Sequence, residues 1–482
     1  MPPENFRFGG GGIETTLHPV VLVLMLISIT LILVLPRKYI IIPLLVPTLL
    51  LPARDAILVA GAHIFVFRII LLFGWIRLAA TKFCSQTSLV AGRFNSVDGA
   101  FSLWAVFHAL AFILLYLQPA AVINQFGFLW DAFGCYFLLR LLIQDEGDIN
   151  RAIKCFAVLA VIVGICMVNE QLTQQNVFGL LGGVRSVPEI RNGRIRSQAV
   201  FQHPILAGTF GATLLPLFFW LWKSGKSKVA ALFGVISSIV MTVASACSTP
   251  VVTCGAAIVA ICLWPFRKQM RAFRWGIVIA LVALHLVMNA PVWFLIDRIE
   301  LVGGSSGYHR AMLVDQFIRN FGDWWLLGTN ANQNWGDHMW DTSNAYVEEG
   351  QTGGLLALVF FIAMISRCFG RIGTARKSVE GADPRKEWFL WFLGSALLAH
   401  IVAFFGISYF DQTRVAWFAT LAMVSAATAP ILEAKAVSPE PQVDMPSVQS
   451  RLAYSAPLGS SSSASGVPFE HETKSNSQFR QA

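Results

Sequence analysis

The sequence predicts an all-α polytopic integral membrane protein of about 12–13 transmembrane helices. Three observations carry that prediction. The 482 residues are 55% hydrophobic and only 13% charged, about half the charged fraction of a soluble protein of this length. Apolar runs of up to about twenty residues, the length that crosses a bilayer, recur over residues 1–435. The period-two alternation of a membrane barrel is absent, and in lipid only helices or closed barrels satisfy their own backbone. The net charge of +9 is no sign of nucleic acid, because most of the basic residues sit in short connectors, where they set topology. Cys135, Cys155, Cys166, Cys254 and Cys262 fall inside apolar runs without metal-ligand spacing and read as small apolar fillers. The start, MPPENFRFGGGG, lacks the basic region and cleavage site of a signal peptide.

Taken in order, the first span covers residues 18–35 and ends at Pro36, Arg37 and Lys38. Residues 39–51 are short and hold Pro43 and Pro47, so they read as a kinked or tilted span; the count is 12 if they do not cross. A third span, 56–75, contains His63 and Arg68. An arginine near the bilayer centre costs about 2.5–3.5 kcal/mol on the insertion scale, so Arg68 needs a partner such as Asp131, or a substrate. Spans follow at 99–117, 123–143 and 157–168, then at 204–222, 229–246, 251–265 and 275–296, and finally at 354–366, 388–405 and 415–434. His108, His285 and His400 are lone histidines on apolar faces and read as satisfied bundle residues. Asp411, Gln412 and Arg414, between the last two spans, either complete a site or cap helices.

Two connectors are too long and too polar to be simple turns: 170–202 and 297–353. If both are external, the basic connectors, including RCFGRIGTARKSVEGADPRKE, FRKQMRAFR and WKSGKSK, fall inside, as the positive-inside rule requires. The exception is the loop 170–202, which carries Arg185, Arg191, Arg194 and Arg196 on the outer side. Arginine presents a planar fork of donors that fits phosphate oxygens and stays charged in a poor dielectric. Arg194 and Arg196 are two apart, so an extended backbone points both one way. The competing reading pairs these arginines with lipid headgroups or with Glu189. The span after His203 and Pro204 starts with glycines and alanines, which allow a ligand to come close.

The second loop contains an amphipathic helix. Ser305 and Ser306 are capping residues, and Met312, Leu313, Phe317, Ile318 and Phe321 recur at helical spacing. His309, Arg310, Asp315 and Arg319 lie on the other face, and Trp324 and Trp325 suit a membrane interface. A polar run follows, with Asn330, Asn332, Asn334, Asp337, His338, Asp341, Ser343 and Asn344. A loop of this length with its own helix reads as a working part rather than a solvated connector. Residues 436–482, rich in Ser, Pro and Gln, read as a disordered internal tail.

These stretches resemble the bacterial O-antigen ligase and O-antigen polymerase superfamily. RIRSQAVFQHPILAGTF is similar to its arginine, aromatic, proline and small-residue span, with Arg196 on the family arginine. SSGYHRAMLVDQF resembles its Ser–Arg helix through Arg310, and WWLLGTN its Leu–Gly turn through Gly328. DTSNAYVEEGQTGGLLALVFF resembles its final loop motif, with Asn344 and Tyr346 matching, but the usual histidine before the asparagine is Ser343 here. The resemblance covers roughly residues 60–430 and rests on the order of short motifs.

The resemblance implies a multi-pass protein of the bacterial inner (cytoplasmic) membrane, with the long loops periplasmic. It would transfer or polymerise a glycan from a polyprenyl-diphosphate carrier in surface or exopolysaccharide biosynthesis. The implied partners are that donor, a glycan or lipid acceptor, and membrane lipids. The implied chemistry is inverting glycosyl transfer without metal or cofactor. Arg196 and Arg310, with Arg191 and Arg194, would hold the diphosphate, and Asn344 and Tyr346 would face substrate. With Ser343 in place of the histidine, Asp341 or His338 would be the base; for Asp341 that needs a pKa raised by burial. Two other readings stay open: a flippase or transporter of a lipid-linked saccharide, and a protein O-oligosaccharyltransferase. Concentration of polar groups in two loops favours surface chemistry over passage through the bilayer.

Overall fold

The computed structural model describes residues 17–59, 62–84, 93–298 and 307–437. By contacts the chain divides into Met1–Ala436 and Val437–Ala482; the predicted tail lies outside the described residues apart from its first two positions. The first unit is an all-helical polytopic bundle. Its elements run α1 (Pro19–Val34), α2 (Ile41–Leu50), a hairpin of β1 (Ala56–Val59) and β2 (Ala62–Phe65), then α3 (Val66–Cys84), α4 (Ser96–Tyr116), α5 (Pro119–Leu142) and α6 (Glu146–Thr173). A second hairpin, β3 (Glu189–Arg191) and β4 (Arg194–Arg196), precedes α7 (Pro204–Lys223), α8 (Lys228–Ala244), α9 (Ser248–Cys262) and α10 (Met270–Val287). The second long loop holds α11 (Gly307–Arg319) and the short α12 (Phe321–Trp324), and α13 (Ala345–Val379), α14 (Pro384–Phe404) and α15 (Thr413–Val437) complete the chain.

Eight helical segments among the described residues are long and apolar enough to cross a membrane: α4, α5, α6, α7, Trp264–Val287, α13, α14 and Thr413–Ala434. Three shorter apolar helices join the bundle: α8 and α9 pack against α7, and α1 against α2 and α3. These three stand where spans 18–35, 229–246 and 251–265 were expected, and the rest of the difference from the expected count lies at the N-terminal side. Residues 39–51 are not a span: Arg37–Tyr39 forms a 3-10 turn and α2 has ten residues, about 15 Å of helix. The expected span 56–75 begins instead with the β1–β2 hairpin, and helix starts only at Val66. The expected span 354–366 is also too short, because α13 runs on to Val379 and absorbs half of the basic connector.

Helix α7 is the hub. It packs against α6, α8, α9 and α14, and nearly all of its residues are buried. The small residues of its first turns serve helix packing. A Cβ at Gly208 would lie 2.5 Å from Ser245 Oγ and 2.7 Å from Pro250 Cγ. The glycine-rich start of this span is therefore filled by α8 and α9, not open to a ligand.

The two ends of the bundle differ. One is laced with ion pairs: Arg37–Asp148, Arg385 and Lys226 with Glu146, and Arg267 and Arg376 with Glu387. The other carries both long loops. The second loop has its own small core, in which Leu313, Phe317, Trp324, Trp335, Met339 and Val347 pack together. Trp324 stacks on Phe317 at 3.9 Å and donates from Nε1 to the Phe317 carbonyl at 2.7 Å. The predicted amphipathic helix is α11, although Arg310 and Asp315, placed on its polar face, are buried. Ser305 and Ser306 lie outside the described residues.

This loop is tied to the bundle at a break in α13. Gly354 has φ +68° and ψ −173° in the middle of that helix. The break frees the Gln351 carbonyl, which accepts from Thr329 N–H at 2.7 Å, while Leu355 N–H donates to the Trp325 carbonyl at 2.9 Å. The 325–329 turn thus supplies the partners that the helix has lost. A Cβ at Gly354 would lie 2.6 Å from the Leu326 carbonyl oxygen, and one at Gly328 (φ +88°) 2.2 Å from that of Gln351. Gly354→Ala combines a left-handed φ with a backbone clash and is expected to cost at least about 2 kcal/mol. Gly373→Ala, in the same helix with open space around it, serves as the control. Thermal unfolding in detergent checks this: a Gly354→Ala melting temperature equal to that of the control would refute the tie.

Candidate functional site

The arginine loop is built from the end of α6. Glu170 is buried, and its Oε2 accepts from the backbone N–H groups of Gln198 and Ala199 at 3.0 and 2.9 Å. Gln171 Nε2 donates to the carbonyls of Ile195 and Ala244, and Asn176 Nδ2 to those of Arg185 and Ala199. Three polar side chains on one helix end thus hold a loop of about thirty residues. Within it, Asn192 and Gly193, with φ of +50° and +72°, close the β3–β4 hairpin; Asn-Gly is the sequence a tight hairpin turn with two left-handed residues prefers.

The hairpin register pairs Glu189 with Arg196 and Arg191 with Arg194. Arg196 is buried and donates from Nη1 to Glu189 Oε1 at 2.6 Å. Its Nε and Nη2 donate to Cys247 Sγ at 3.3 and 2.9 Å. Burial raises the Cys247 thiol, with the Arg196 guanidinium pulling the other way. Arg191 and Arg194 are exposed at the hairpin tip.

Arg310 reaches the same place from α11. It is buried, makes no ion pair among the described residues, and its Nε has no partner. Its electrostatic neighbours are Cys247, Asp341, Arg191 and Arg196. Burial pulls its pKa below the ordinary arginine value, and the two other guanidiniums add to the fall; an arginine remains charged even so. His203 stands beside this cluster as the N-cap of α7, its Nδ1 accepting from Ile205 N–H at 3.2 Å. Burial, then Arg196, pull its pKa down to about 4, so the imidazole is neutral at pH 7. The two loops therefore bring Arg191, Arg196 and Arg310 together, with Glu189 and Asp341 as the carboxylates.

The other site residues read from the sequence sit differently. Arg194 and Arg196 lie on one extended strand, yet only Arg196 is buried. Asp341 and His338 are both exposed, so burial does not supply what a basic aspartate needs. His309 Nε2 lies 3.0 Å from the Asp341 carbonyl, and His338 sits beside Trp340 with φ +59°. Asn344 is the N-cap of α13: its Oδ1 accepts from Tyr346 and Val347 N–H, and its Nδ2 donates to the Phe405 carbonyl. Tyr346 OH donates to the Ile401 carbonyl. Both are engaged within the fold. Among the described residues no group of three or more His, Cys, Asp or Glu side chains is placed to hold a metal ion.

Beside the arginine loop lies a cavity of about 500 Å³, within the usual range for small-molecule sites. Its walls come from α2 to α5, the start of α13 and residues 409–418. Arg68 and Asp131 line it as a two-pronged ion pair, at 2.8 and 2.9 Å. Glu349 Oε2 accepts from Trp104 Nε1 at 2.7 Å and lies 3.1 Å from His108 Nδ1. Gln125 and Gln412 are buried with their Oε1 atoms unpartnered. Asp411 closes one wall, caps α15 through Thr413 N–H and accepts from Gln202 N–H at 3.1 Å. Gln202, next to His203, also lines the cavity, so cavity and arginine cluster adjoin. His285 and His400 have local partners, Val292 N–H and the Tyr409 hydroxyl.

No family model and no curated protein matches the chain.

Asp55 packs under Gly182 and Gly183 of the arginine loop. Burial raises its carboxyl from 3.8 to about 6, and its Oδ2 has no partner. The protonated form belongs to the folded state, so its contribution is present below pH 4 and is lost as the pH rises through 6. Asp55→Asn is expected to stabilise the protein by about 1–2 kcal/mol at pH 7.5, below the full value of the shift because the bundle end keeps some water. At pH 3.5, below the unfolded pKa, it is expected to change little. Melting temperatures at the two pH values check this, and an equal gain at both would refute it.

Proposed function

We propose that the protein is a membrane glycosyltransferase of the O-antigen ligase and polymerase type, acting on a polyprenyl-diphosphate-linked glycan at the end of the bundle that carries the two long loops. The observation that carries this reading is Arg310. Its buried guanidinium makes no ion pair among the described residues, a placement that costs several kcal/mol, and Arg191 and Arg196 are its electrostatic neighbours. Such a cluster is stabilised by an anion with several oxygens, and a diphosphate supplies one. The glycosyl–diphosphate bond breaks with negative charge growing on the diphosphate, so fixed cations lower that barrier. The neutral His203 adds no competing charge. Arg196, already matched by Glu189, is assigned the secondary part, and Arg310 the primary one. By the positive-inside rule the ion-paired end, rich in Lys and Arg, faces the cytoplasm, which puts the arginine cluster on the periplasmic face of the inner membrane.

The test uses the purified protein with lipid-linked glycan extracted from its host. Arg310→Ala is expected to lower transfer at least 100-fold and to weaken capture of the donor. Arg310→Lys should recover part of it, since a point charge replaces the fork. Arg196→Ala should cost less, on the order of tenfold, because Glu189 is released with it. Normal transfer by both alanine variants would end the diphosphate role. Deletion in the host, followed by mass spectrometry of the carrier pool, separates the activities. Long lipid-linked chains without surface polymer mean ligase, single repeat units mean polymerase, and accumulation on the inner leaflet alone means transport.

A further inference from the structure

The cavity beside the arginine loop holds a pair that the sequence gave no reason to join. His108 lies in the middle of α4 and Glu349 in the first turns of α13, 241 positions apart. Glu349 Oε2 receives the indole N–H of Trp104 at 2.7 Å. It also lies 3.1 Å from His108 Nδ1, which donates to it in the Nδ1–H tautomer. In that tautomer the lone pair of the neutral ring is on Nε2. No hydrogen bond to that atom is formed among the described residues. The ring is held flat against Phe128, with centroids 4.5 Å apart and planes 24° apart, and it lines the cavity. A carboxylate beside one ring nitrogen of a histidine that lines a cavity, with no hydrogen bond to the other nitrogen among the described residues, is an arrangement a general base uses.

The rest of the cavity favours a carbohydrate. The buried amide side chains of Gln125 and Gln412 are among its lining. Trp104, Phe128 and Tyr409 also line it, aromatic residues of the kind that pack against the C–H faces of a pyranose. Arg68 in the wall is matched by Asp131, and Arg54, Arg414, Glu348 and Asp411 add charges of both signs to the lining.

We infer that this cavity binds the acceptor saccharide and that His108, oriented by Glu349, takes the proton from its attacking hydroxyl. The inference rests on the glycosyltransferase reading above. In the step, the acceptor oxygen forms a bond to the anomeric carbon of the donor. The bond from that carbon to the diphosphate oxygen breaks, and its electron pair leaves with the diphosphate. The hydroxyl proton passes to His108 Nε2. The arginine cluster serves the leaving group and the cavity serves the nucleophile; Gln202 and His203, adjacent in sequence, each line one of them.

The experiment uses the full-length protein in lipid nanodiscs, with host lipid-linked glycan as donor and the same glycan released from its carrier by mild acid as acceptor. His108→Gln is expected to lower transfer on the order of 10²–10⁴-fold, with donor capture unchanged. Glu349→Gln is expected to do the same, because a neutral amide oxygen in place of the carboxylate no longer stabilises the imidazolium that forms when His108 takes the proton. The double variant should be no worse than either single one, as for residues that act as a unit. Gln125→Leu should raise the acceptor KM with kcat kept. The inference is overturned if His108→Gln or Glu349→Gln keeps donor capture and transfers within threefold of wild type, or if their losses multiply. If Arg310→Ala loses donor capture while both cavity variants transfer normally, only this inference falls. If wild type transfers nothing and Arg310→Ala captures donor normally, the glycosyltransferase reading falls and takes this inference with it.

Discussion

Carrying a charge into an apolar helix bundle costs several kcal/mol unless something pairs with it, and that constraint organises this protein. Arg68 meets Asp131, Asp98 accepts from both Arg140 and the Tyr136 hydroxyl, and Glu170 collects two backbone N–H groups. At the ion-paired end the connectors neutralise one another across α6, α13 and α14. Arg310 has Arg191 and Arg196 as electrostatic neighbours of the same sign and makes no ion pair among the described residues. Fold stability does not require such a placement; a leucine there would fill the space without the cost. The departure from the pairing rule is what directs attention to this end of the molecule.

Much of this was legible in the chain. Long apolar runs give the helical bundle, and the arginine-bearing loop and the loop with α11 stand out because neither is polar in the way a turn is polar. What escaped has physical causes. Residues 56–65 are apolar enough to read as the start of a span, yet they pair as a hairpin, and short apolar runs do not distinguish strand from helix. Pro43 and Pro47 marked a disturbed segment without showing that only ten residues would be helical. Arg310 looked like one charge among several on a polar helix face. Its burial depends on packing of the loop core around Phe317 and Trp324, which no local period records. Cys247 reads as a filler and is instead the sulfur against Arg196. The His108–Glu349 contact joins helices that only tertiary structure brings together.

The departure of residue 343 from the pattern that the final loop resembles fits this arrangement. Ser343 is buried and its hydroxyl has no partner, while the next residue, Asn344, is fully engaged as a helix cap. A serine there is a poor proton acceptor at neutral pH, and the side chains of Asp341 and His338 are exposed. A base works only when its tautomer and direction are set. In this chain the histidine that meets that condition lies on α4, against the first turns of the helix that Asn344 caps.

The break at Gly354 connects these regions. It lets the first turns of α13 leave the line of the long helix, and the two hydrogen bonds across the break lock the 325–329 turn to that bend. Those same turns carry Glu348, Glu349 and Thr352 into the cavity wall. The loop that contains Arg310 and the carboxylate that orients His108 are thus fixed to one point of the backbone. A straight α13 would carry neither the turn nor its hydrogen bonds, and the leaving-group and nucleophile sides of the proposed reaction would lose their common support. That mechanical link is a sufficient reason for a glycine in the middle of a membrane helix, where propensity alone argues against it.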